Sequence, residues 1–430
     1  MSLTSPPAVA RSGSLWRHGD FLKLWSAYAL SLVGSQVTFI ALPLTAILLL
    51  EATPLQVGIL TALGYLPFLF IGLPAGVWVD RLPRRPILII TDFGRALFLL
   101  AIPLAYSLDA LSLGLLYPLV FINGVLTVFG DIAHHAFLPS LVERNQIIEG
   151  NTKLQMAYST AQLAGPSLGG LLVKALSAPV AIVLDAASFV VSALLLLRVK
   201  RQEPAPDVDA KQRPPMRQEM KEGLSYVLRH PLLRPLVICM ACANLFDMFG
   251  MVKAILPLYA VRELRLSAAE FGVVLAVANT GALFGTLINH RLVRRWGLGP
   301  TLTGASFLPG LAVLLLPLAT EATAVGVLAV ALALAGFGVA LFNVNQISLR
   351  QQLTPASLQG RMNATVRFLI WGTIPAGAFL GGLLGGSLGL KPTLLIAGVG
   401  SLLSSLPLVQ SRLASLHELP PPEPALATPR

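Results

Sequence analysis

The sequence predicts an all-α integral membrane protein in which twelve transmembrane helices form two pseudo-symmetric six-helix bundles. Apolar residues make up 55% of the 430 residues and charged residues only 12%, a balance that indicates a bilayer as the solvent for most of the chain. Several apolar runs exceed the ~20 residues that a helix needs to cross hydrocarbon. Features of the first half also recur in the second half, in the same order.

The apolar runs define twelve predicted spans. In chain order they cover residues 22–49, 54–79, 86–106, 111–135, 152–175, 178–198, 232–259, 267–290, 300–320, 323–348, 363–389 and 392–411. They divide the chain into an N-terminal bundle (1–198), a cytoplasmic linker (199–230), a C-terminal bundle (231–412) and a proline-rich, disordered tail (413–430). The later part of the linker, from Met216 to His230, is amphipathic and suited to the inner membrane face.

Lysine and arginine are unevenly distributed between the two sides that this topology defines. With both termini in the cytoplasm, the cytoplasmic loops and tails hold 25 of the 31 basic residues and the outside loops hold four, while Arg95 and Lys253 lie within spans. Basic residues are retained on the cytoplasmic side of cell membranes. The sequence therefore predicts a multi-pass protein of the cell membrane with both termini inside. The net charge of +11 reflects this retention and not a nucleic-acid partner.

An internal repeat relates the two bundles. A shift of 212 positions places Asn151 on Asn363, and a shift of 209 places Gly76 on Gly285 and Asp80 on Asn289. Matches in the same order along several spans indicate two six-helix halves related in parallel, with a substrate site between them. The shift of 212 also places three glycines, Gly165, Gly169 and Gly170, on Gly377, Gly381 and Gly382.

The segment between the second and third spans reads GVWVDRLPRR, from Gly76 to Arg85. The third span is expected to begin at Pro86, because proline is favoured at a first helical position. The pattern G-x-x-x-D-R-x-x-R-R resembles the signature loop of the major facilitator superfamily, although Pro83 stands where that signature usually has glycine. The resemblance implies a secondary transporter that moves a small molecule by alternating access.

A cytoplasmic gate is predicted around this loop. In the resembling family, the aspartate of the signature loop holds the cytoplasmic ends together, partly by facing the N-terminus of the eleventh span, where the helix dipole favours an anion. Asp92 and Arg95 are three residues apart on the third span, and this spacing lets them neutralise one another. The alternative role for these charges is topology signalling alone. The predicted gate comprises Gly76, Asp80, Arg81, Arg84, Arg85, Asp92, Arg95 and Arg361.

The fifth span contains GPSLGG, with Gly165, Pro166, Gly169 and Gly170. Glycines four apart allow close helix packing, which is one explanation of the spacing. The pattern also resembles the antiporter motif of exporters in the superfamily, without that motif's upstream glycines. The segments DIAHHAFLPSLV, EGNTKL and LDAASFVVSALLLL resemble the subgroup of macrolide, multidrug and enterobactin exporters. This resemblance implies efflux of amphiphilic small molecules of the drug or siderophore class.

Two acids within predicted spans are candidates for proton coupling. A charge inside the membrane costs about 2.5–3.5 kcal/mol on insertion scales, so each one invites an explanation. Asp247 lies near the middle of the seventh span, one turn from Asn244, and Asp185 lies in the sixth span. A structural hydrogen bond to a neighbouring helix is the alternative role for either acid. Lys253 is expected to extend outward to the membrane surface.

The predicted substrate cavity is polar but carries little charge, which suits amphiphilic molecules. No P-loop, H-E-x-x-H or G-x-S-x-G motif occurs, so we expect neither an enzyme nor a cofactor. The pair Cys239 and Cys242 lacks further ligands, so we expect no metal site. We expect a monomer. The alternative to an exporter is a nutrient importer or uncoupled facilitator of the same fold, and a third possibility is an intramembrane enzyme or sensor. The cavity residues are Gln36, Asn123, Tyr158, Gln162, Asn244, Asn279, Asn343, Gln346 and Trp371.

Overall fold

The structure is a computed structural model that describes residues 15–201, 203, 216–355 and 358–417. Helices account for nearly all of these residues. The helices of the first half are α1 (Gly19–Leu48), α2 (Pro54–Phe70), α3 (Gly72–Arg81), α4 (Arg84–Ser107), α5 (Leu113–Leu141), α6 (Ile147–Leu176) and α7 (Ala178–Leu197).

The linker and the second half follow the same helical plan. The linker contributes α8 (Met216–Arg229). The helices of the second half are α9 (Leu233–Phe246), α10 (Met251–Leu258), α11 (Ala268–Trp296), α12 (Leu298–Leu315), α13 (Ala324–Leu353), α14 (Gln359–Ser387), α15 (Leu390–Leu403) and α16 (Leu406–Val409).

Successive spans run in opposite directions, so their termini collect at two ends of the bundle. α3, α7, α11 and α13 end beside Arg81, Arg198, Arg295 and Arg350. We call this the basic end. The other end, where α2, α5 and α11 begin, is called the opposite end.

The predicted spans correspond to these helices. Within the described ranges, ten helical segments are long and apolar enough to cross a membrane. α6 and the pair α2 and α3 supply the other two spans, so the prediction of a twelve-helix membrane protein is confirmed. Three predicted spans are interrupted: the second at Ile71, between α2 and α3, the seventh between α9 and α10, and the twelfth between α15 and α16.

The signature segment is more helical than predicted. α3 continues to Arg81 and α4 begins at Arg84, so that Leu82 and Pro83 alone separate the two helices. The expectation that the third span begins at Pro86 was therefore wrong by two residues. Pro83 precedes the first helical residue, where its lack of an N–H group costs no helical hydrogen bond.

Reciprocal caps define where α2 and α11 begin at the opposite end. The Thr53 side chain accepts from the backbone of Gln56, whose side chain accepts from the backbone of Thr53. Ser267 and Glu270 form the same arrangement at the start of α11. Both pairs satisfy N–H groups that a helix start leaves without partners. Such satisfaction matters most where water is scarce.

The two halves meet along two helix pairs. α2 packs against α14, and α6 packs against α11, while the other extensive contacts lie within each half. We call these two pairs the seam. α2 and α11 hold equivalent places in the repeat, as do α6 and α14, so the seam has the pseudo-twofold symmetry that the repeat predicts.

The linker helix and the chain after α16 pack at the basic end. Glu222 of α8 pairs with Arg361 of α14, and the Tyr226 hydroxyl donates to Leu353 O over 2.5 Å. Leu413 is fully buried, and Gly299 N–H donates to Leu416 O over 2.6 Å. The predicted disordered tail from 413 therefore begins too early, because residues 413–417 pack against α12; residues 418–430 lie outside the described residues.

Candidate functional site

The seam is tightly closed at the opposite end, where it depends on glycine. A Cβ atom on Gly58 of α2 would lie 2.7 Å from Ala378 O of α14, and one on Gly382 would lie 2.6 Å from Pro54 O. On the other helix pair, a Cβ atom on Gly170 would lie 2.3 Å from Ala268 O. These distances are too short for any side chain, so the backbones of the two halves are in direct contact there.

The glycines of the fifth span divide their contacts between the two halves. Cβ atoms on Gly165 and Gly169 would meet α1, at 2.4 Å from Gln36 Cβ and 3.2 Å from Gln36 O, respectively. Gly170 faces α11 instead. Pro166 is buried within α6, and its carbonyl would lie 2.5 Å from a Cβ atom on Gly272. The predicted antiporter-like motif therefore lies at the closed part of the seam.

Toward the basic end, side chains along the seam helices are more exposed. On α6, Tyr158 is 40% exposed, and on α11 Leu283 and Leu287 are 54% and 69% exposed. By helical spacing, Leu283 shares a face of α11 with Gly272, which meets Pro166 across the seam at the opposite end. From this exposure we infer that α6 and α11 separate beyond the contact of Asn279 with Gln162 and leave a cavity between the halves that is open at the basic end.

Four of the predicted cavity residues form one hydrogen-bonded chain where the cavity begins. Gln36 Nε2 donates to Gln162 Oε1 over 2.9 Å, and Gln162 Nε2 donates to the Tyr158 hydroxyl over 2.8 Å. Asn279 Nδ2 of α11 donates to Gln162 O over 2.5 Å. The chain joins α1, α6 and α11, so it connects the two halves at their meeting point.

Asp247 lies at the break between α9 and α10. Its backbone is extended, with φ −92° and ψ −153°, and its Oδ1 atom accepts from Phe249 N–H over 3.2 Å. A Cβ atom on Gly250 would lie 2.3 Å from Asn244 O. An aspartate that bonds its own backbone two residues on, together with a glycine, explains why the helix breaks here. The side chain is only 3% exposed.

A pocket inside the second half brings three predicted residues together. Asp247, Asn244 and Asn343 line it with Ser306 and Phe342. Asn244 Nδ2 donates to Ile370 O over 3.0 Å and so links α9 to α14. No cationic side chain pairs with Asp247 among the described residues.

The cysteine pair lies beside the Asp247 pocket. Cys239 lines the Asp247 pocket, and both cysteines are free thiols. Within the described residues, no group of three or more His, Cys, Asp or Glu side chains has the spacing to hold a metal ion.

Arg95 occupies the interior of the first half. Its Nε atom donates to Asn123 Oδ1 over 3.4 Å, its Nη2 atom donates to Ser35 Oγ over 3.3 Å, and its Cζ atom lies 3.8 Å from the centroid of the Phe189 ring. Asp92 Oδ2 instead accepts from Ser192 Oγ over 2.5 Å. Asp92 and Arg95, predicted to neutralise one another, therefore interact only at longer range, because Asp92 bonds α7 whereas Arg95 bonds α1 and α5.

Three acids surround Arg95 at longer range. The charges of Asp185, Asp131 and Asp92 all act on the guanidinium group. Asp185 is 1% exposed, and a Cβ atom on Gly34 would lie 2.6 Å from its Oδ1 atom. Asp131 was not predicted as a site residue, although it begins the DIAHHAFLPSLV segment that carries a family resemblance. One cation thus serves three acids, of which Asp92 and Asp185 are buried and Asp131 is partly buried.

The predicted gate residues do not form one cluster. Arg85 binds the end of α7, where its Nε atom donates to Leu196 O over 2.9 Å and its Nη2 atom donates to Leu197 O over 2.7 Å. Gly76 has open space around it, and Arg81 is exposed. The Arg84 Nε atom is buried without a partner among the described residues. The Asp80 side chain lies outside the described residues, whereas Asp92 and Arg95 lie deep within the first half and Arg361 pairs with α8.

The remaining predicted cavity residues lie on α13 and α14. The Trp371 ring centroid is 4.8 Å from that of Phe68 on α2, so this contact spans the seam. Gln346 Oε1 accepts from Arg350 Nη1 over 2.9 Å, and Arg350 Nη2 donates to Asn363 Oδ1 over 2.7 Å. Gln346 therefore connects α13 to the start of α14 at the basic end.

Lys253 does not extend outward as expected. Its Nζ atom donates to the Tyr65 hydroxyl across the seam and lies 4.4 Å from the centroid of the Phe39 ring. The sequence signal for this contact was a charge within a span, but the direction in which the Lys253 side chain points depends on residues of the first half. Sequence reasoning also missed Tyr65, because a tyrosine in a span has many possible roles.

In the described part of the chain, twelve spans in two related halves that meet at a polar seam define a membrane transport protein for a small molecule. The chain belongs to the Major Facilitator Superfamily, whose family model matches residues 24–374. It is 27% identical over 421 residues to the multidrug efflux pump Tap of Mycolicibacterium fortuitum, which covers 94% of this chain and 98% of Tap.

A second relative and a solved structure extend this comparison. The chain is 27% identical over 379 residues to the enterobactin exporter EntS of Salmonella typhimurium, covering 85% of this chain and 86% of EntS. A bacterial homologue of the iron transporter ferroportin, solved in an inward-facing state, superposes with a TM-score of 0.73 at 19% identity, covering 94% of this chain and 100% of that one. At this identity, the structural similarity shows the fold.

Proposed function

We propose that this transporter is an exporter of amphiphilic small molecules of the drug or siderophore class, coupled to proton entry. The observation that carries the coupling is Asp247, a buried carboxyl group at a helix break, with no cationic partner among the described residues. Broken helices near the membrane midplane are where secondary transporters place their coupling-ion sites. The names of the relatives, an efflux pump and an exporter, support the direction.

The proposed coupling step uses the bond that Asp247 makes to its own helix. A carboxyl group can gain or lose a proton, and the change in charge alters the hydrogen bond to Phe249 at the start of the second helical segment. Asp185 is the second candidate, but it shares its surroundings with Arg95. Asp247 is favoured because no cation among the described residues stabilises its ionised form.

The proposed transport cycle is alternating access. The glycine contacts of the seam hold the opposite end closed, and rocking of the two halves would open that end while closing the basic end. The excess of basic residues at the basic end favours a cytoplasmic location for it. We therefore propose a monomer in the cell membrane with both termini in the cytoplasm and, in this structure, a cavity open to the cytoplasm.

The gate at the basic end is part of this proposal. Gly76, Asp80, Arg81, Arg84 and Arg85 are placed on or beside α3, α4 and the end of α7, which must approach the second half when the basic end closes. The gate role of Asp80 stays a prediction, because its side chain lies outside the described residues. An Asp80→Asn variant that is expressed normally and transports at the unaltered rate would remove Asp80 from the gate.

The test of coupling is transport in proteoliposomes with an imposed proton gradient. We expect the unaltered protein to move a fluorescent drug substrate against its gradient only when the pH gradient is present. We expect Asp247→Asn to lose this dependence while still exchanging substrate down its own gradient. Asn343→Ala, which alters the same pocket without changing a titratable group, is the matched control and should retain the dependence.

The outcome also decides between the alternatives. If Asp247→Asn keeps its pH-gradient dependence, the assignment of coupling to Asp247 is wrong, and Asp185→Asn is the next variant. If cells with the protein accumulate more of a drug panel than cells without it, the protein is an importer. An exporter lowers the accumulation.

A further inference from the structure

Lys253 places a cation inside the membrane, at the seam between the two halves. Its side chain is half-buried, its Nζ atom donates to the Tyr65 hydroxyl, and the centroids of the Phe39 and Tyr65 rings lie 4.4 and 4.6 Å away. No carboxylate forms an ion pair with it among the described residues. These contacts of the ammonium group are with α1 and α2, so the side chain crosses from the second half to the first.

These contacts lower the cost of the charge but do not neutralise it. Two cation–π contacts, to Phe39 and Tyr65, stabilise the ammonium group inside the membrane. A neutral hydroxyl group adds one hydrogen bond and no counter-charge. The ammonium group therefore retains the capacity to bind an anion that enters the cavity.

A continuous aromatic surface leads from Lys253 toward the basic end. The ring centroids of Tyr65 and Phe68 are 6.3 Å apart, and those of Phe68 and Trp371 are 4.8 Å apart. We call Tyr65, Phe68 and Trp371 the aromatic ladder. Arg367 lies at its other end, with its Cζ atom 4.8 Å from the Trp371 ring centroid. The ladder follows α2 and α14 along one wall of the cavity.

The buried acids lie away from the Lys253 end of the ladder. Asp92 and Asp185 bond Ser192 and Ser188 inside the first half, and Asp247 caps its own backbone in the pocket of the second half. Asp131 is within electrostatic range of Arg367, at the other end of the ladder. The wall near Lys253 is therefore cationic and aromatic.

We propose that the cavity binds aromatic amphiphiles that carry a carboxylate, with the carboxylate at Lys253 and the aromatic body on the ladder. This inference rests on the proposed function, because it names the chemical class of molecule that enters the transport cavity. Hydrogen bonds to charged groups contribute more than neutral ones. The carboxylate supplies the counter-charge that the seam lacks, and the rings of Tyr65, Phe68 and Trp371 offer faces to its apolar part.

Calorimetric titration of the full chain in lipid nanodiscs, with empty nanodiscs as the blank, tests this assignment. The probes are naphthoate, naphthylmethanol and naphthylmethylammonium, which share an aromatic body and differ in charge. The unaltered protein should bind naphthoate tightest. Lys253→Gln should weaken naphthoate binding about tenfold, the loss expected for one charge-assisted hydrogen bond, while binding of naphthylmethanol is unchanged.

Matched variants separate charge recognition from structural damage. Lys253→Arg keeps the charge and should retain most of the preference for naphthoate. Arg291→Gln removes an exposed cation at the basic end and should leave all three affinities unchanged. Trp371→Leu should weaken naphthoate and naphthylmethanol by similar factors, because it shortens the ladder without removing the cation.

Each outcome decides the proposal. Equal losses of naphthoate and naphthylmethanol in Lys253→Gln would show that Lys253 only holds the seam together, and no preference for naphthoate in the unaltered protein would overturn the proposal outright. The proposed function fails separately: if naphthoate binds as expected but no substrate moves against its gradient in proteoliposomes, coupled export is wrong while the binding site stands.

Discussion

In the first half, α1 runs unbroken past Ser35, whereas in the second half the corresponding segment is broken at Asp247, 212 positions later. Ser35 accepts a hydrogen bond from Arg95, and Asp247 bonds its own backbone. The same place in the repeat thus serves a cationic network in one half and a lone acid in the other. The duplicated scaffold has kept its shape while the two halves have acquired different chemistry.

The glycines show what the halves still share. Gly165 and Gly169 pack against α1, as Gly377 and Gly381 pack against α9 and α10, and the next glycine of each set crosses the seam. Close backbone contact tolerates no side chain, so these positions are restricted in both halves. Charged groups are not restricted by packing in this way and depend on the function of each half.

The largest expected effect concerns the cation of the first half. Arg95→Gln leaves Asp92, Asp131 and Asp185 without their shared counter-charge. Because removing one member of a buried charge network leaves uncompensated charges, we expect the free energy of unfolding to fall by about 3 kcal/mol. Thermal unfolding in detergent measures the change.

Arg291→Gln is the control for Arg95, because it removes the same charge from an exposed position. It should leave the melting temperature within error. If the two variants melt at the same temperature, Arg95 does not stabilise the acids, and the contrast between a cationic network and a lone acid is lost.

The second prediction tests the seam. Gly382→Ala would place a Cβ atom 2.6 Å from Pro54 O, and overpacking of this kind costs about 1–3 kcal/mol. Because that contact exists only when the opposite end is closed, the population should shift toward the state in which this end is open. The readout is labelling of a cysteine placed at Ala62, in a background lacking Cys239 and Cys242, by a membrane-impermeant thiol reagent. Gly382→Ala should raise the rate of this labelling.

Gly386→Ala is the matched control for the seam. Gly386 lies one turn further along α14, and a Cβ atom there would meet nothing within 4 Å. It should not change the labelling rate. Equal labelling rates in Gly382→Ala and the unaltered background would mean that the glycine contact does not hold the opposite end closed.

The smallest effect comes from a turn that the halves share. Ser177, between α6 and α7, has φ 83°, and its counterpart Gly389, before α15, has φ 93°. Glycine adopts this conformation without strain, whereas a residue with a side chain pays about 1–3 kcal/mol, partly offset by the greater chain entropy of glycine. Ser177→Gly should therefore raise the free energy of unfolding by about 1 kcal/mol.

Ser177→Ala provides the comparison for this turn, because it removes the hydroxyl group but keeps a Cβ atom. It should show no gain in melting temperature. A gain as large in Ser177→Ala as in Ser177→Gly would assign the effect to the hydroxyl group and not to the backbone.

Most of the fold could be predicted because it depends on local composition and repetition. Hydropathy predicted the spans, and the spacing of Gly165, Gly169 and Gly170 recurs in their repeat counterparts on α14, Gly377, Gly381 and Gly382. The predicted polar residues Gln36, Tyr158, Gln162 and Asn279 lie together, since inward-facing positions repeat along each helix. Asp92 and Arg95 act on one another only at longer range, because helical spacing permits a contact without requiring it, and Ser192 on another helix is the hydrogen-bond partner of Asp92.

By itself, the sequence determined the solvent of this protein, the number of its spans and the duplication of its halves, because hydrophobic burial and glycine packing are properties of residue type and spacing. Only the tertiary structure decided two features. The helix is broken at Asp247, whose carboxyl group lies in a pocket, and Lys253 turns across the seam to Tyr65. A charge in a membrane takes the best partner within reach. Which partners are within reach depends on helices that are distant in sequence.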